Sequence, residues 1–255
     1  MRRLVFIGYD PREQDAYLVA YKSMRHFSPF HDAHPIVLNT LQRDGLYRRP
    51  TENRDGQRWD VISDAPMSTE FAISRFLVPH LSGNKGWALF VDCDVMFRAS
   101  ADELFDLADD RYAVMCVKHT HTPSDPSIMA AVDSGAMPPE TKMDGQAQTY
   151  YARKNWSSVM LWNLAHPSIQ HGLTPDMVNT LPGRDLHRMC WLKDEEIGAL
   201  PKSWNHLVGV DPPDPKAKIV HHTLGVPSMP GYEDSEFADQ WRGWLSGEMP
   251  RSAVR

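Results

Sequence analysis

The chain has few of the features that announce a function by themselves. Its 255 residues include only three cysteines (Cys93, Cys116 and Cys190). They are odd in number and without paired spacing, so neither a disulfide framework nor a zinc knuckle is implied. Cys93 and Cys116 lie within apolar runs and read as core residues, which makes a reducing cytoplasm the default compartment. A basic excess is also missing: the formal net charge is −6, and Arg2-Arg3 and Arg48-Arg49 are too short and scattered to form the cationic face of a nucleic-acid binder. No stretch approaches the ~20 apolar residues of a membrane span. The apolar run Leu4–Ile7 after Arg2-Arg3 is too short for a secretory signal and ends in Gly-Tyr-Asp, not at a small-residue cleavage site. There is no internal repeat, no low-complexity tract and no linker, which points to one domain over residues 1–255. At 42% hydrophobic and 24% charged residues, it has the make-up of a globular protein with an extensive core.

What is present is organised around Trp87–Phe97, where five apolar residues run into Asp92, Cys93 and Asp94 before apolar residues resume. A short continuous apolar run suits a strand buried on both faces. Alternation along such a strand turns Asp92 and Asp94 to one side and Cys93 to the other. Two adjacent carboxylates repel, and burial makes each anion costlier, so a divalent cation between them is one solution. A strand end opening into a solvated acidic turn is the other. Asp-x-Asp alone does not choose between them.

The first half alternates β and α. Leu4–Gly8 reads as a strand, residues 13–27 as an amphipathic helix, and Pro35–Leu38 as a second strand, together a βαβ unit. Residues 41–66 are polar and without period, a surface loop. A helix is expected from Glu70 to Leu77, closed by Pro79, then the 87–97 strand, a helix over Ala101–Leu107 capped by Ser100, and a strand over Tyr112–Val117. This pattern predicts an α/β fold with an open, mostly parallel sheet flanked by helices. The second half is less regular. Residues 119–149 hold four prolines, and Pro167, Pro175 and Pro182 read as further breaks. Strands are expected at Ser157–Trp162, Trp191-Leu192, Leu207–Val210 and Lys218–His222, and a core-docked helix over Glu236–Leu245.

In open α/β sheets ligands bind beyond the carboxyl ends of strands. Three strands end in polar groups: at Tyr9-Asp10, at Asp92-Cys93-Asp94 and at His221-His222. The first lacks a glycine-rich phosphate loop, so a diphosphate would need a metal and side chains. Two aspartates and an imidazole suit a manganese-type or magnesium-type ion.

Four segments in order resemble the GT-A glycosyltransferases, closest to the glycogenin-like and lipopolysaccharide-galactosyltransferase-like retaining family, glycosyltransferase family eight. Phe71–Pro79 is similar to that family's helix with an arginine four residues before a proline. Leu89–Phe97 resembles its Asp-x-Asp strand, continued by Glu103-Leu104. Asp194-Glu195-Glu196-Ile197 is similar to its Asp-Gln-Asp segment, and Leu200-Pro201 and Trp204-Asn205 to the Leu-Pro and Trp-Asn pairs after it. Ile219–Thr223 with Gly225 resembles its C-terminal histidine motif. The resemblance implies a GT-A fold, with a nucleotide-sugar-binding half over residues 1–118 and an acceptor half over 119–255. It implies transfer of a hexose from a UDP-linked donor to a saccharide or glycolipid acceptor, with retention. Asp92, Asp94 and His221 would hold Mn²⁺ or Mg²⁺, with His222 as the alternative to His221. Arg75 would lie by the aspartates and phosphates, Tyr9 and Asp10 by the nucleoside, and Glu195 with Asp194 by the anomeric carbon. A glycolipid acceptor would make a cytoplasmic enzyme peripheral at the membrane.

Each role has a plainer counterpart. Arg75 could pair Glu70 or neutralise the aspartates structurally, and Glu195 could be a surface acid. His119 and His121 look ligand-like but receive no role. Two departures from the family matter. Gly225-Val226-Pro227-Ser228-Met229 lacks the family's lysine and tryptophan, with Lys216 or Lys218 as candidate substitutes for the lysine. Trp156–Val159 replaces an Asn-x-Gly-Val segment, with Asn155 one place early. A sugar-phosphate nucleotidyltransferase needs the missing glycine-rich loop. A metal-dependent hydrolase and a non-catalytic binding domain of the same fold are the remaining rivals.

Overall fold

Arg3–Gly8 forms the first strand, β1, of the computed structural model, which describes residues 3–120, 140, 141, 147, 148 and 153–248. Asp10 caps a 3₁₀ turn at Pro11–Glu13, and α1 follows over Gln14–Phe27. Its buried positions Ala16, Val19, Ala20, Ser23 and Met24 repeat at the spacing of one helical face. Strand β2 (Ala33–Ile36) returns parallel to β1, completing the expected βαβ unit. Leu38 does not end that strand; it starts a short helix, α2 (Leu38–Arg43).

Residues 41–66 are not a loop. They contain β3 (Thr51–Arg54), β4 (Gln57–Asp60) and β5 (Ala65–Pro66), a three-stranded antiparallel sheet. Asp55 and Gly56 join β3 to β4, both at positive φ (53° and 83°). This is the backbone that a two-residue hairpin turn demands. The small sheet is anchored by the buried pair of Arg49 and Asp60; Arg49 also donates to the carbonyls of Val178 and Leu181, both at 2.8 Å.

The expected helix from Glu70 is instead a set of turns and a 3₁₀ helix at Ser74–Leu77. Helix α3 (Val78–Leu81) begins only there, with Pro79 in its first turn, where no N–H is needed. Strand β6 (Trp87–Val91) is buried at every residue and pairs parallel with β1. After Asp92–Asp94 the chain enters β7 (Val95–Phe97), then α4 (Ala101–Phe105) with Ser100 capping it, and β8 (Val114–Cys116). Strands β9 (Glu140–Thr141) and β10 (Ala147–Gln148) pair antiparallel. His121, Pro123, Pro126, Pro138 and Pro139 lie outside the described residues.

Trp156–Ser158 is a 3₁₀ turn leading into β11 (Val159–Asn163). Pro167 and Pro175 do not break the chain; they start α5 (Pro167–Gln170) and α6 (Pro175–Thr180), and α7 (Gly183–His187) follows Pro182. Trp191-Leu192 lies in turns and not in a strand, and β12 (Ile197–Ala199) comes instead. Strand β13 is limited to His206–Leu207, β14 covers Ile219–His221, and α8 runs over Ala238–Ser246. Helix α8 packs on α1: Lys22 Nζ donates to the Leu245 carbonyl at 2.8 Å, and the His26 and Trp244 rings meet at 5.0 Å.

The main sheet has the order β12-β8-β11-β6-β1-β2. Strand β11 runs antiparallel to both β6 and β8, while the other five share one direction. A smaller sheet, β13-β14-β7, takes over where β6 ends. The result is the open, mostly parallel α/β sheet that the sequence predicts.

Candidate active site

Strand β6 carries the chain to its carboxyl end at Val91, and the Asp92 N–H is held by the Ser158 carbonyl at 2.9 Å. The strand stops there. Asp92, Cys93 and Asp94 make the turn that leads from the main sheet into β7 of the small one. The carboxylates therefore converge through a turn and not by strand alternation. Cys93 does face elsewhere: it is fully buried, and its thiol donates to Glu13 Oε2 at 2.9 Å. Strand β14 lies antiparallel to β7 and places His221 opposite Val95, while the His222 N–H bonds the Asp94 carbonyl at 2.9 Å. His221 Nε2 thereby comes within 3.2 Å of Asp94 Oδ1. One ligand atom each from Asp92, Asp94 and His221 lie within 4.8 Å of one another, and all three residues are buried.

Arg75 occupies the other side of Asp92. Its Nη1 donates to Asp92 Oδ1 at 2.6 Å and to the Ser157 carbonyl at 2.9 Å, and its Nε donates to the Ala72 carbonyl at 3.0 Å. The guanidinium lies 5.2 and 5.1 Å from the Phe71 and Phe90 ring centroids. Glu70 is engaged by Arg58 at 3.0 Å, so it is not the partner of Arg75. Two carboxylates buried side by side repel each other, and a divalent cation between them relieves that repulsion. The donor set of two carboxylates and an imidazole fits a divalent ion of the manganese or magnesium type.

His221 is the histidine that reaches the cluster. His222, one residue on, is fully buried outside it, with no hydrogen bond to either ring nitrogen among the described residues, and loss of hydration lowers its pKa to about 4. Behind His221, Nδ1 lies 3.0 Å from Asn205 Oδ1, and Asn205 Nδ2 donates to Ser158 Oγ at 2.9 Å and to the Asn155 carbonyl at 3.2 Å. Behind Arg75, the Ser157 hydroxyl pairs with His187 Nδ1 at 2.7 Å. Burial, reinforced by the Arg75 charge, holds the His187 pKa well below the usual imidazole value.

Sequence comparison gives this chain its kin. No known family model matches it. Over 243 residues, 93% of the chain, it is 44% identical to Protein CDI of Arabidopsis thaliana, 83% of which is covered. The chain belongs to the family of Protein CDI. Among solved structures it resembles the WbbM bifunctional glycosyltransferase with a TM-score of 0.60 and 13% identity, over 95% of this chain and 49% of that one. The galactosyltransferase LgtC matches with a TM-score of 0.57 and 12% identity over 98% of each chain. GlyE of Streptococcus pneumoniae TIGR4 matches with a TM-score of 0.57 and 14% identity, over 99% of this chain and 63% of that one. The chain thus spans about half of WbbM and under two thirds of GlyE. At these identities the likeness is one of fold, and the fold of this Protein CDI relative is that of the GT-A glycosyltransferases.

Other expected residues sit differently in this Protein CDI family member. Asp10 is buried, and its carboxylate accepts from Arg12 N, Nε and Nη2 (2.9, 3.1 and 2.7 Å) and from Glu70 N at 2.9 Å. Burial alone would raise its pKa, but these bonds outweigh it and hold the carboxyl below the usual value. Its lone pairs are thus committed to the turn after β1. Tyr9 stands beside it, edge-on to Tyr17 at 5.1 Å. A cavity of about 190 Å³ opens alongside, lined by Arg12, Asn53, Arg58 and Thr69 among others.

Asp194 and Glu195 are not brought to the cluster. They form the 3₁₀ turn that precedes β12 and are not members of the Asp92–Asp94–His221 group. Both are exposed, and Asp194 pairs with Arg153 at 2.5 Å. Lys218 pairs with Glu103 at 2.7 Å, and a side chain added at Gly225 would strike the Tyr232 ring, within 2.5 Å. Asn205 was visible only as part of a resemblance, and nothing in the sequence marked His187.

Proposed function

We propose that this relative of Protein CDI is a metal-dependent glycosyltransferase that moves a hexose from a UDP-linked donor to a saccharide or glycolipid acceptor. The observation that carries the reading is the convergence of Asp92, Asp94 and His221, from two sheets, into one buried cation-shaped cluster beside Arg75. The three residues would hold Mn²⁺ or Mg²⁺ at the carboxyl end of the central strand, where α/β sheets bind ligands. A bound divalent ion supplies Lewis-acid stabilisation of a diphosphate leaving group, worth several kcal/mol. Arg75 fixes the Asp92 carboxylate and adds preorganised positive charge on the side the leaving group occupies. Asp10 shapes the turn that presents Tyr9, and Tyr9 is the residue of the two that meets the nucleoside.

Retention rests on the resemblance alone; Glu195 and Asp194, the carboxylates expected at the anomeric carbon, are exposed and outside the metal group. Residues 1–255 act as one domain, with the donor side mainly in 1–118 and the acceptor side in 119–255. Cytoplasmic location, peripheral to the membrane, follows from the cysteines and a glycolipid acceptor. A second reading, a binding domain that kept the fold without catalysis, is favoured by one feature: the Tyr232 ring packs against Gly225, and the family lysine beyond that glycine is missing.

The test is thermal unfolding across a panel of nucleotide sugars with and without Mn²⁺. A ligand at 100 times its Kd stabilises by about 2.7 kcal/mol, or roughly 5–11 °C for a chain of this size. Asp94→Asn should remove the metal-dependent part of the shift while leaving the fold intact. If no nucleotide stabilises the protein under either condition, the glycosyltransferase reading fails. Binding that survives Asp94→Asn moves the metal site elsewhere. Binding without transfer to any saccharide supports the non-catalytic reading, and acceptor-free turnover at full rate a hydrolase.

A further inference from the structure

The environment of His221 fixes more than its position. Asn205 is fully buried, and the orientation of its amide is decided by what surrounds it. The Asn155 carbonyl can only accept, so the Asn205 nitrogen must face it. Ser158 Oγ gives its own proton to the same Asn155 carbonyl at 2.7 Å, which leaves Oγ as an acceptor for Asn205 Nδ2. Both neighbours thus select one amide orientation and turn Oδ1 toward His221 Nδ1. An amide oxygen has no proton to give, so His221 Nδ1 must carry the hydrogen. In the neutral ring, Nε2 is then a bare lone pair.

Among the described residues no donor reaches that lone pair. Nε2 is 3.2 Å from Asp94 Oδ1, yet the contact is not aligned as a hydrogen bond. Asn155, whose carbonyl fixes the amide, has left-handed backbone (φ 65°), a conformation asparagine tolerates better than most residues. The same segment holds the opposite arm of the cluster: the Ser158 carbonyl takes the Asp92 N–H, and the Ser157 carbonyl takes Arg75. Residues 155–158 therefore connect the aspartate side, in the main sheet, to the histidine side, in the small sheet.

We infer that Asn205, oriented by Asn155 and Ser158, is a positioning residue that holds His221 as the Nδ1–H tautomer with Nε2 directed at the cation site. This rests on reading Asp92, Asp94 and His221 as a cation site. Partners of this kind change metal affinity by 10–100-fold when removed.

Two measurements on the full chain test it. Long-range ¹H–¹⁵N correlation spectra of the metal-free protein at pH 8, with His221→Gln for assignment, should show His221 protonated at Nδ1 and bare at Nε2. An Nε2–H ring, or one protonated at both nitrogens, overturns the inference. In Mn²⁺ titrations followed by electron paramagnetic resonance, Asn205→Leu should weaken binding by about 10–100-fold. Equal binding by Asn205→Leu and wild type also overturns it. Should Asn205→Leu fail to fold, the wild-type spectrum decides alone. Wild-type protein that binds no Mn²⁺ would instead defeat the functional reading, with the tautomer still measurable.

Discussion

Arg75→Ala exposes how strongly the cluster depends on the arginine built into it. Arg75 is 6% exposed and touches Asp92 at 2.6 Å, itself also 6% exposed. Truncation leaves that carboxylate buried without its arginine, strips donors from the Ser157 and Ala72 carbonyls, and removes the cation between the Phe71 and Phe90 rings. Breaking one side of a buried pair costs about 3–5 kcal/mol. The orphaned carbonyls add less, because the vacated space admits water. At about 2–4 °C per kcal/mol for a chain of this length, the melting temperature should fall by roughly 6–20 °C. The assay is thermal unfolding by circular dichroism in EDTA, repeated with Mn²⁺, which should restore part of the loss by supplying the missing charge. A fall of less than about 1 kcal/mol in EDTA would refute the reasoning, since a buried carboxylate stripped of its arginine cannot be that cheap.

Two further outcomes depend on where side chains sit. Asp10 is held below its ordinary pKa, so its contribution to stability is present above the unfolded value of 3.8 and is lost as pH falls through the folded one. Asp10→Asn should lack this acid limb. Urea midpoints measured between roughly pH 3 and 6 should converge for the two proteins at the acid end, and parallel curves would sink the assignment. Glu195→Gln should leave Mn²⁺-dependent sugar transfer within about twofold of wild type, because Glu195 is exposed and outside the Asp92–Asp94–His221 group. A hundredfold loss in kcat would return that residue to the chemistry.

Strands β1 and β6 and helix α1 could be read directly because burial leaves a local trace: a solid apolar run for a strand covered on both faces, a 3.6-residue stripe for a helix covered on one. The β3–β4 hairpin left no such trace, since Glu52, Asn53 and Arg54 are exposed and no apolar alternation exists. Its only signal was Asp55-Gly56, the dipeptide that fits a two-residue hairpin turn. Pro167 and Pro175 read as breaks because a proline that starts a helix and one that ends it look alike until the following turn is known. At the site, the Asp-x-Asp pair was legible as a local electrostatic problem. Asn205 was not, because its role depends on two residues some fifty positions away. The surroundings of Asp194 and Glu195 were hidden for a related reason: the pairing of Asp194 with Arg153 depends on the path of the whole chain, not on the Lys-Asp-Glu-Glu sequence.

The reversed strand has a consequence for how the chain is made. Strand β8 precedes residue 118, yet among the described residues of the main sheet it bonds only β11 and β12, and only through β11 does it reach β6. A cut at residue 118 would therefore sever β8 from its route into the sheet, and the two halves are not separable folding units. During synthesis, Val114–Cys116 leaves the ribosome as an apolar strand without its sheet partners until Val159–Asn163 has followed it out. At about 5–20 residues per second that interval lasts seconds, long enough for an unpaired edge to find another nascent chain. Pairing that must wait for a distant segment is slow pairing. This protein should lean on chaperones most at that point of translation, after β1, β2 and β6 have emerged and before β11 arrives.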